Sequence, residues 1–143
     1  MKGDLDRLVA AATQARARAY APYSRYRVGA ALLTKVGHVY AGCNVENSTF
    51  GATICAERSA IAAMVSAGDR DPVACVVVTA GPRPGSPCGI CRQVLSEFAD
   101  DMKVVMIAHD VRGREVARAD ARLSALLPQA FRLGKAPRRG RPE

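Results

Sequence analysis

The sequence predicts a three-layer α/β/α sandwich around a mixed five-stranded sheet, and three observations lead to it. Helical and strand-like segments follow one another in the order α-β-β-α-β-α-β-β-α, which places helices on both faces of one sheet. Residues 73–80 form an uninterrupted apolar, β-branched run typical of a strand covered on both faces. The 143 residues, 49% of them hydrophobic, suffice for one core and contain no internal repeat.

The chain begins with a helix and a hairpin. Across residues 5–20 apolar side chains recur every three or four positions, which is the spacing of one helical face, and Asp4 is placed to cap its start. Residues 27–34 and 38–44 are rich in strand formers, and residues 35–37 between them end in glycine, as in a tight turn. An antiparallel pair is therefore expected to open the sheet.

The middle of the chain supplies a helix and the central strand. Residues 53–67 read as a second helix, and Gly68 is a natural stop for its C-terminus. The apolar strand at 73–80 follows after a short connection. This strand is expected to lie in the interior of the sheet.

The last third of the chain completes the layers. A third helix is expected over residues 88–99, followed by strands at 103–108 and 115–117. A short helix at 120–127 closes the fold, because Pro128 cannot continue it.

Composition limits the classes of function. No run approaches the roughly 18 to 20 apolar residues needed to cross a bilayer, and the N-terminus lacks the apolar core of a signal peptide. We therefore expect a cytoplasmic protein without membrane contact. Five cysteines in such a chain are expected to be reduced thiols or metal ligands rather than a disulfide framework.

The positive charge is concentrated at the C-terminus. Residues 132–143 hold five basic residues and one acidic residue, a net +4 out of the formal +8 of the chain. This stretch is rich in Pro, Gly and Arg and has no apolar period, so a disordered basic tail is expected after one domain at residues 1–131. We favour a solvated end over an arm that binds nucleic acid.

Two cysteine motifs fall at the starts of predicted helices. Cys55 begins one, and Cys88 and Cys91 begin the other, so the three thiols are expected at the same end of the sheet. The unpaired N–H groups and partial positive charge of a helix N-terminus favour the thiolates that bind zinc. Three ligands leave tetrahedral zinc one open position, as in catalytic rather than structural sites. We expect one Zn²⁺ per chain.

Four other residues could supply a fourth ligand and convert this site into a structural one. They are Cys43, Cys75, His38 and His109, and none has a partner at ligand spacing. Cys75 lies inside the apolar strand and Cys43 near the end of another, which favours buried structural thiols. The two histidines are expected to be ordinary.

The joint pattern resembles the signature of zinc-dependent nucleobase deaminases, in which a ligand-x-Glu motif is paired with Pro-Cys-x-x-Cys. Glu57 stands two residues after Cys55, where a carboxylate can reach a zinc-activated water without binding the metal. Three thiolates give the zinc core a charge of −1. Arg58 and Arg92 are placed to offset that charge by donating hydrogen bonds to thiolate sulfur.

Beyond the cysteine motifs, the sequence resembles the small homotetrameric cytidine deaminases from about residue 20 to residue 131. So many segments in one order make a chance agreement very improbable. The matching segments are Ala21-Pro22-Tyr23-Ser24, Val28-Gly29-Ala30-Ala31-Leu32, Gly42-Cys43-Asn44-Val45-Glu46-Asn47, Arg92-Gln93-Val94 and Leu126-Leu127-Pro128.

The resemblance implies a reaction and a substrate. Asn44 and Glu46 should bind the ribose hydroxyls, and alternate residues of a strand do point the same way. Zinc-bound hydroxide would attack C4 of the pyrimidine, while Glu57 would protonate N3 and pass a proton to the departing ammonia. Cytidine and deoxycytidine would become uridine and deoxyuridine, which is a step of pyrimidine salvage.

The resemblance also implies an aromatic wall and an assembly. Tyr26 stands where the family usually has a phenylalanine that packs on the base. At position 50, where the family often has a tyrosine, this chain has Phe50. Ala56 is carried over as a substrate contact. Phe131 corresponds to a residue that reaches the pocket of a neighbouring subunit, so a homotetramer with active sites at subunit interfaces is expected.

Other functions compete with this one. Related proteins deaminate blasticidin S, a cytosine nucleoside antibiotic without an ordinary ribose, and the pair Asn44 and Glu46 argues against it. A deaminase of polynucleotides would need an open groove, and this short chain has no inserted loops to supply one. The alternative of another class is a non-catalytic zinc-binding nucleic-acid module.

Overall fold

The computed structural model describes residues 2–134. Its elements, in chain order, are α1 (Lys2–Ala17), β1 (Gly29–Thr34), β2 (Val39–Cys43), a 3₁₀ turn (Phe50–Ala52), α2 (Ala56–Ser66), β3 (Pro72–Ala80), α3 (Gly89–Phe98), β4 (Lys103–His109), β5 (Glu115–Arg122) and α4 (Leu123–Leu126).

The strands form one mixed sheet in the order β2-β1-β3-β4-β5. β1 is antiparallel to both β2 and β3, β3 is parallel to β4, and β5 returns antiparallel to β4. The tight turn between β1 and β2 contains Gly37 with a φ of 91°, a conformation that favours glycine. The predicted five-stranded mixed sheet is confirmed.

Strand alternation divides the core into two layers. On one face of the sheet, side chains such as Val76, Val78 and Ile107 pack against α1 through Leu8 and Ala12. The alternate residues face α2, α3 and α4, and they include Leu32, Cys75, Val77 and Met106. The predicted three-layer α/β/α arrangement is therefore confirmed, with β3 covered on both faces as its continuous apolar run requires.

Two local predictions are wrong. α1 begins at Lys2, so Asp4 lies inside its first turn and forms an ion pair with Arg7 at 3.2 Å instead of capping the helix. β5 continues to Arg122, and only Leu123–Leu126 is helical, whereas a helix was expected from residue 120. β4 supplies ladder partners as far as the pair of Lys103 with Arg122, and this pairing outweighs local propensity.

Two further expectations concern membrane contact and the basic C-terminal tail. No helix within residues 2–134 combines the length and apolar character that crossing a membrane requires. Of the predicted basic tail at 132–143, residues 135–143 lie outside the part of the chain that the structure describes.

Glycines set the close approach of helices to the sheet. A Cβ on Gly42 of β2 would overlap the backbone nitrogen of Ala60 in α2. A Cβ on Gly29 of β1 would overlap the carbonyl oxygen of Ala12 in α1. These contacts fix both helical layers against the sheet near the end where the cysteine motifs lie.

We expect Gly29→Ala to lower the free energy of unfolding by about 1 to 3 kcal/mol, because a backbone oxygen cannot move aside as a flexible side chain can. Gly3→Ala is the matched control, since a Cβ there meets nothing within 4 Å and alanine is the better helix former by about 1 kcal/mol. Urea unfolding of both variants measures the difference. Equal midpoints would contradict the close approach of α1 and β1.

Candidate metal centre

The three predicted ligands lie at the N-termini of two helices. Cys55 is the N-cap of α2 and Cys88 is the N-cap of α3. Cys91 lies in the first turn of α3, and its backbone N–H donates to the sulfur of Cys88 at 3.4 Å. Both helix ends therefore direct unpaired N–H groups and partial positive charge toward the sulfur atoms.

The spacing of the sulfur atoms fits zinc. The Sγ atoms of Cys55, Cys88 and Cys91 all lie within 4.8 Å of one another, and those of Cys55 and Cys88 are 3.8 Å apart. Ligands at the usual Zn–S distance of about 2.3 Å in a tetrahedron stand about 3.8 Å apart. Soft thiolate donors at this spacing fit one zinc ion per chain.

No fourth protein ligand joins this group. Within residues 2–134 it is the one set of three or more His, Cys, Asp or Glu side chains close enough to hold a metal. Cys75 is buried in the core of the sheet and Cys43 is half-buried. His38 instead contacts Asp69 at 2.7 Å. Three protein ligands are the number that catalytic zinc sites use.

The thiols share negative charge unequally. The hydrogen bond from Cys91, followed by the contact with Arg58, lowers the pKa of Cys55 to about 5. The interaction with Cys55, and then burial, raises the pKa of Cys91. The site thus already favours a thiolate at neutral pH, the form that binds metal.

Glu57 is an acidic residue that interacts with Cys55 and Cys91 of this group. It lies in the first turn of α2 with only 4% of its surface exposed. Burial raises the pKa of its carboxyl, and the charge of Cys55 adds to that effect, while a hydrogen bond with Cys91 opposes it. A carboxyl in such surroundings exchanges protons closer to neutral pH than an exposed one does.

The two arginines behave differently. One terminal nitrogen of Arg58 donates to the Thr53 carbonyl at 3.0 Å and lies 3.9 Å from the Cys55 sulfur, in agreement with the expected contact. Arg92 does not donate to sulfur, and that expectation is wrong. Its three nitrogens donate to the carbonyls of Pro87 and Leu126 and to the Ser86 hydroxyl, at 2.7 to 2.9 Å. It therefore supports the backbone next to Cys88 rather than the ligand itself.

Asn44 and Glu46 both hold the chain that connects α1 to β1. The Asn44 side chain is 8% exposed and accepts from the Val28 N–H and donates to the Tyr26 carbonyl, both at 2.8 Å. The Glu46 carboxylate accepts from the N–H groups of Tyr23 and Ser24, at 2.9 and 3.1 Å, and from the Ser24 hydroxyl. These bonds lower the pKa of Glu46, with the Ser24 hydroxyl the largest cause.

The predicted aromatic residues lie at the surface of the chain. Tyr26 is 44% exposed, Phe50 75% and Phe131 69%. Phe50 packs edge-to-face on Tyr23 with ring centroids 5.9 Å apart. Core packing therefore does not account for Phe50 and Phe131. Ala56, also expected to touch substrate, is fully buried at the start of α2.

Sequence reasoning missed the positioning roles of Ser24 and Gln93. Ser24 lies in one of the segments that resemble the family, but that resemblance does not indicate that its hydroxyl donates to Glu46. Gln93, two positions after Cys91, donates to the carbonyl of Phe131 at 2.9 Å and ties the C-terminal segment to α3. Neither contact has a signal in periodicity, because each joins residues more than 20 positions apart.

Comparison with known proteins agrees with this geometry. The family model described as "Cytidine and deoxycytidylate deaminase zinc-binding region" matches residues 2–108. The chain is 46% identical over 131 residues to a cytidine deaminase of Halalkalibacterium halodurans, covering 90% of this chain and 94% of the relative. A cytidine deaminase of Sporosarcina psychrophila is 44% identical over 131 residues, covering 90% and 91%.

A solved structure shares the fold. The crystal structure of a cytidine deaminase from Burkholderia pseudomallei matches with a TM-score of 0.79 and 42% identity, covering 88% of this chain and 98% of that one. The family match includes both cysteine motifs and extends over most of the chain. The chain therefore belongs to the cytidine and deoxycytidylate deaminase zinc-binding family.

Proposed function

We propose that this protein is a hydrolase that deaminates cytidine and deoxycytidine to uridine and deoxyuridine. The observation that carries the proposal is a group of three thiols with zinc spacing beside a buried glutamate that is not one of them. The relatives named cytidine deaminase support the same substrate, since this chain aligns with nearly their full length. We infer that the reaction takes place in the cytoplasm as part of pyrimidine salvage.

Cys55, Cys88 and Cys91 would hold the zinc. When bound, the ion supplies Lewis acidity that makes hydroxide available from water near neutral pH. The thiolates add negative charge that opposes this effect. Arg58 would reduce the opposition, because its guanidinium lies 3.9 Å from the Cys55 sulfur.

Glu57 would carry the protons. It would accept a proton from the attacking water and deliver it to N3 of the pyrimidine ring, which makes C4 more electrophilic. It would then move the second proton of that water to the amino group, which leaves as ammonia while the C4 oxygen becomes a carbonyl. A carboxyl with a raised pKa suits both directions of transfer.

Asn44 and Glu46 would recognise the sugar with the hydrogen-bonding capacity that they have left. A carboxylate has about four acceptor positions, and the contacts to Tyr23 and Ser24 use three of those on Glu46. The Asn44 amide has a second N–H beyond the one given to Tyr26. One donor and two acceptor positions remain, one acceptor on Glu46 and one on the Asn44 oxygen, and a ribose hydroxyl needs one donor and one acceptor.

Tyr26 and Ala56 would border the base. The Tyr26 carbonyl accepts a hydrogen bond from Asn44, so the backbone that carries the ring is held next to the sugar-binding pair. Phe131 would complete the pocket of a neighbouring subunit, since its ring is exposed while Gln93 holds its backbone. We therefore infer a homotetramer in which active sites lie at subunit interfaces.

We expect Glu57→Gln to keep about one zinc per chain and to lose at least about a hundredfold in kcat, because the amide cannot relay protons. Zinc is measured by atomic emission, and turnover by the ultraviolet change from cytidine to uridine. Cys91→Ser should lose both zinc and turnover.

Glu97→Gln, an exposed position on α3, is the control and should change neither quantity. Two results would overturn the assignment. One is a zinc-loaded wild type that is inert toward cytidine and deoxycytidine. The other is a Glu57→Gln enzyme with full activity.

We expect Glu46→Gln to raise KM for cytidine about tenfold or more, because a hydrogen bond to a charged acceptor contributes about 1.5 to 3 kcal/mol. Ser24→Ala separates binding of the sugar by Glu46 from the part that Glu46 plays in holding residues 23–28. The variant removes the hydroxyl that donates to Glu46 and leaves the carboxylate in place. Its effect on KM should be clearly smaller.

The steady-state panel should also include deoxycytidine and blasticidin S. Equal or better turnover of the antibiotic by the wild type would contradict the substrate assignment. An equal rise in KM for Ser24→Ala and Glu46→Gln would leave Glu46 a structural role alone.

We expect light scattering to give the mass of a tetramer, and Phe131→Ala to raise KM while the mass stays unchanged. Leu133→Ala is the control, because this nearby side chain is 87% exposed. A fully active monomer would remove Phe131 from the site.

A further inference from the structure

A second concave site lies away from the metal centre, at the end of the sheet on the α1 side. It has a volume of about 560 Å³, and its wall includes Arg16 of α1, His109 at the end of β4, Asp110 directly after it, Val111, and Val116 of β5. None of these residues belongs to the cysteine group or to the proposed sugar-binding pair. Pockets of about 300 to 1,000 Å³ are of the size that holds small organic molecules.

The deepest polar group in this cavity has no partner. His109 is 4% exposed, and its Nδ1 atom is buried without a hydrogen bond to any of residues 2–134. Burial, and then the charge of Arg16, lowers the pKa of the imidazole. The ring is therefore neutral at neutral pH, and an unpaired nitrogen at this depth is a cost that a ligand can offset by hydrogen bonding after a ring flip.

Arg16 uses only part of its hydrogen-bonding capacity within residues 2–134. Its Nε donates to the Arg27 carbonyl at 3.0 Å, while its two terminal nitrogens have no acceptor among residues 2–134. A guanidinium with a free edge is suited to bind a carboxylate, sulfonate or phosphate oxygen pair.

The nearby carboxylates do not cancel this charge. Asp110 accepts from the N–H groups of Arg112 and Arg114, at 2.8 and 2.9 Å, and forms an ion pair with Arg114 at 2.8 Å. Glu115 is likewise paired with Arg118 at 2.8 Å. The positive charge of Arg16 is the one on the cavity wall that has no counter-charge in the described chain.

The rest of the wall is apolar. Val111 is fully exposed and Val116 is 51% exposed, although valine is a residue that folding usually buries. The cavity thus combines an apolar rim with one cation, one buried imidazole and the Asp110 carboxylate, which is already paired with Arg114.

We propose that this cavity, the Arg16–His109 pocket, binds a small organic anion with an apolar ring system. The anionic group would meet Arg16, the ring would cover Val111 and Val116, and no bond is made or broken. The proposal is independent of the deaminase reaction, since it uses none of that site's residues and its test needs no turnover.

The test uses two fluorescent probes of similar shape, of which one is an anion and the other is neutral. The probe 8-anilinonaphthalene-1-sulfonate carries a sulfonate, and N-phenyl-1-naphthylamine has the same rings without it. For the full-length protein we expect saturable binding of one sulfonate probe per chain, at least about tenfold tighter than the neutral probe. Equal affinities, or no saturable site, would overturn the proposal.

Variants then locate the bound probe. Arg16→Gln should weaken the sulfonate probe about tenfold and leave the neutral probe unchanged, and Val116→Asp should abolish binding of both. Arg18→Gln, which removes an exposed arginine from the same end of α1 outside the cavity, should have no effect. Circular dichroism melting confirms that each variant is folded.

Two outcomes would contradict binding of the probe in the Arg16–His109 pocket. Binding that persists in both Arg16→Gln and Val116→Asp would place the probe elsewhere. If the wild type excludes the probe and Val116→Asp lowers the assembled mass, this face is covered by a second copy of the chain instead.

Discussion

The whole site depends on two helices that begin at the same place. α2 leads into β3 and α3 leads into β4, and these strands are parallel neighbours in the sheet. Both helices therefore run in the same sense, and both pack on the same face of the sheet, so that their N-termini lie at the C-terminal end of β3. Cys55 and Cys88 are the N-caps of these helices, so their sulfur atoms meet 3.8 Å apart. The parallel pairing of β3 and β4 thereby brings together ligands 33 residues apart.

The negative charge of the three thiolates has two opposing effects at the helix N-termini. Thiolates bind the metal, but their negative charge makes water harder to ionise. Burial raises the pKa of Glu57, and the charge of Cys55 adds to that effect. Arg58 and the two helix N-termini supply the compensating positive charge. The guanidinium is held by the Thr53 carbonyl, so its distance from the sulfur is set by the chain before α2. The proposed proton carrier Glu57 thus lies beside the group of three thiols without being one of the candidate ligands.

The sequence predicted most of the fold and the metal group, because both rest on local patterns. Helix starts, a central apolar strand and the spacing of Cys88 and Cys91 can each be recognised within a few residues. The errors arose where distant contacts decide. β5 extends to Arg122 because β4 pairs with it, and Arg92 turns away from sulfur because the Leu126 and Pro87 carbonyls are within reach. The contact of Ser24 with Glu46 could not be predicted for the same reason, because it joins residues far apart in the chain.

The tyrosine in place of the usual phenylalanine shows how the two halves of the site are joined. A Cβ on Gly85 would lie only 2.7 Å from the Tyr26 hydroxyl and 2.8 Å from the methyl group of Thr79. Gly85 therefore provides the space for the additional oxygen, and its N–H donates to the Thr79 hydroxyl at 2.9 Å. Since Gly85 lies in the loop that leads to Cys88, Tyr26 contacts the metal-binding loop with its hydroxyl and Asn44 with its carbonyl. One residue thus links the proposed sugar-binding pair, through its backbone, to the loop that leads to the zinc ligands, through its side chain.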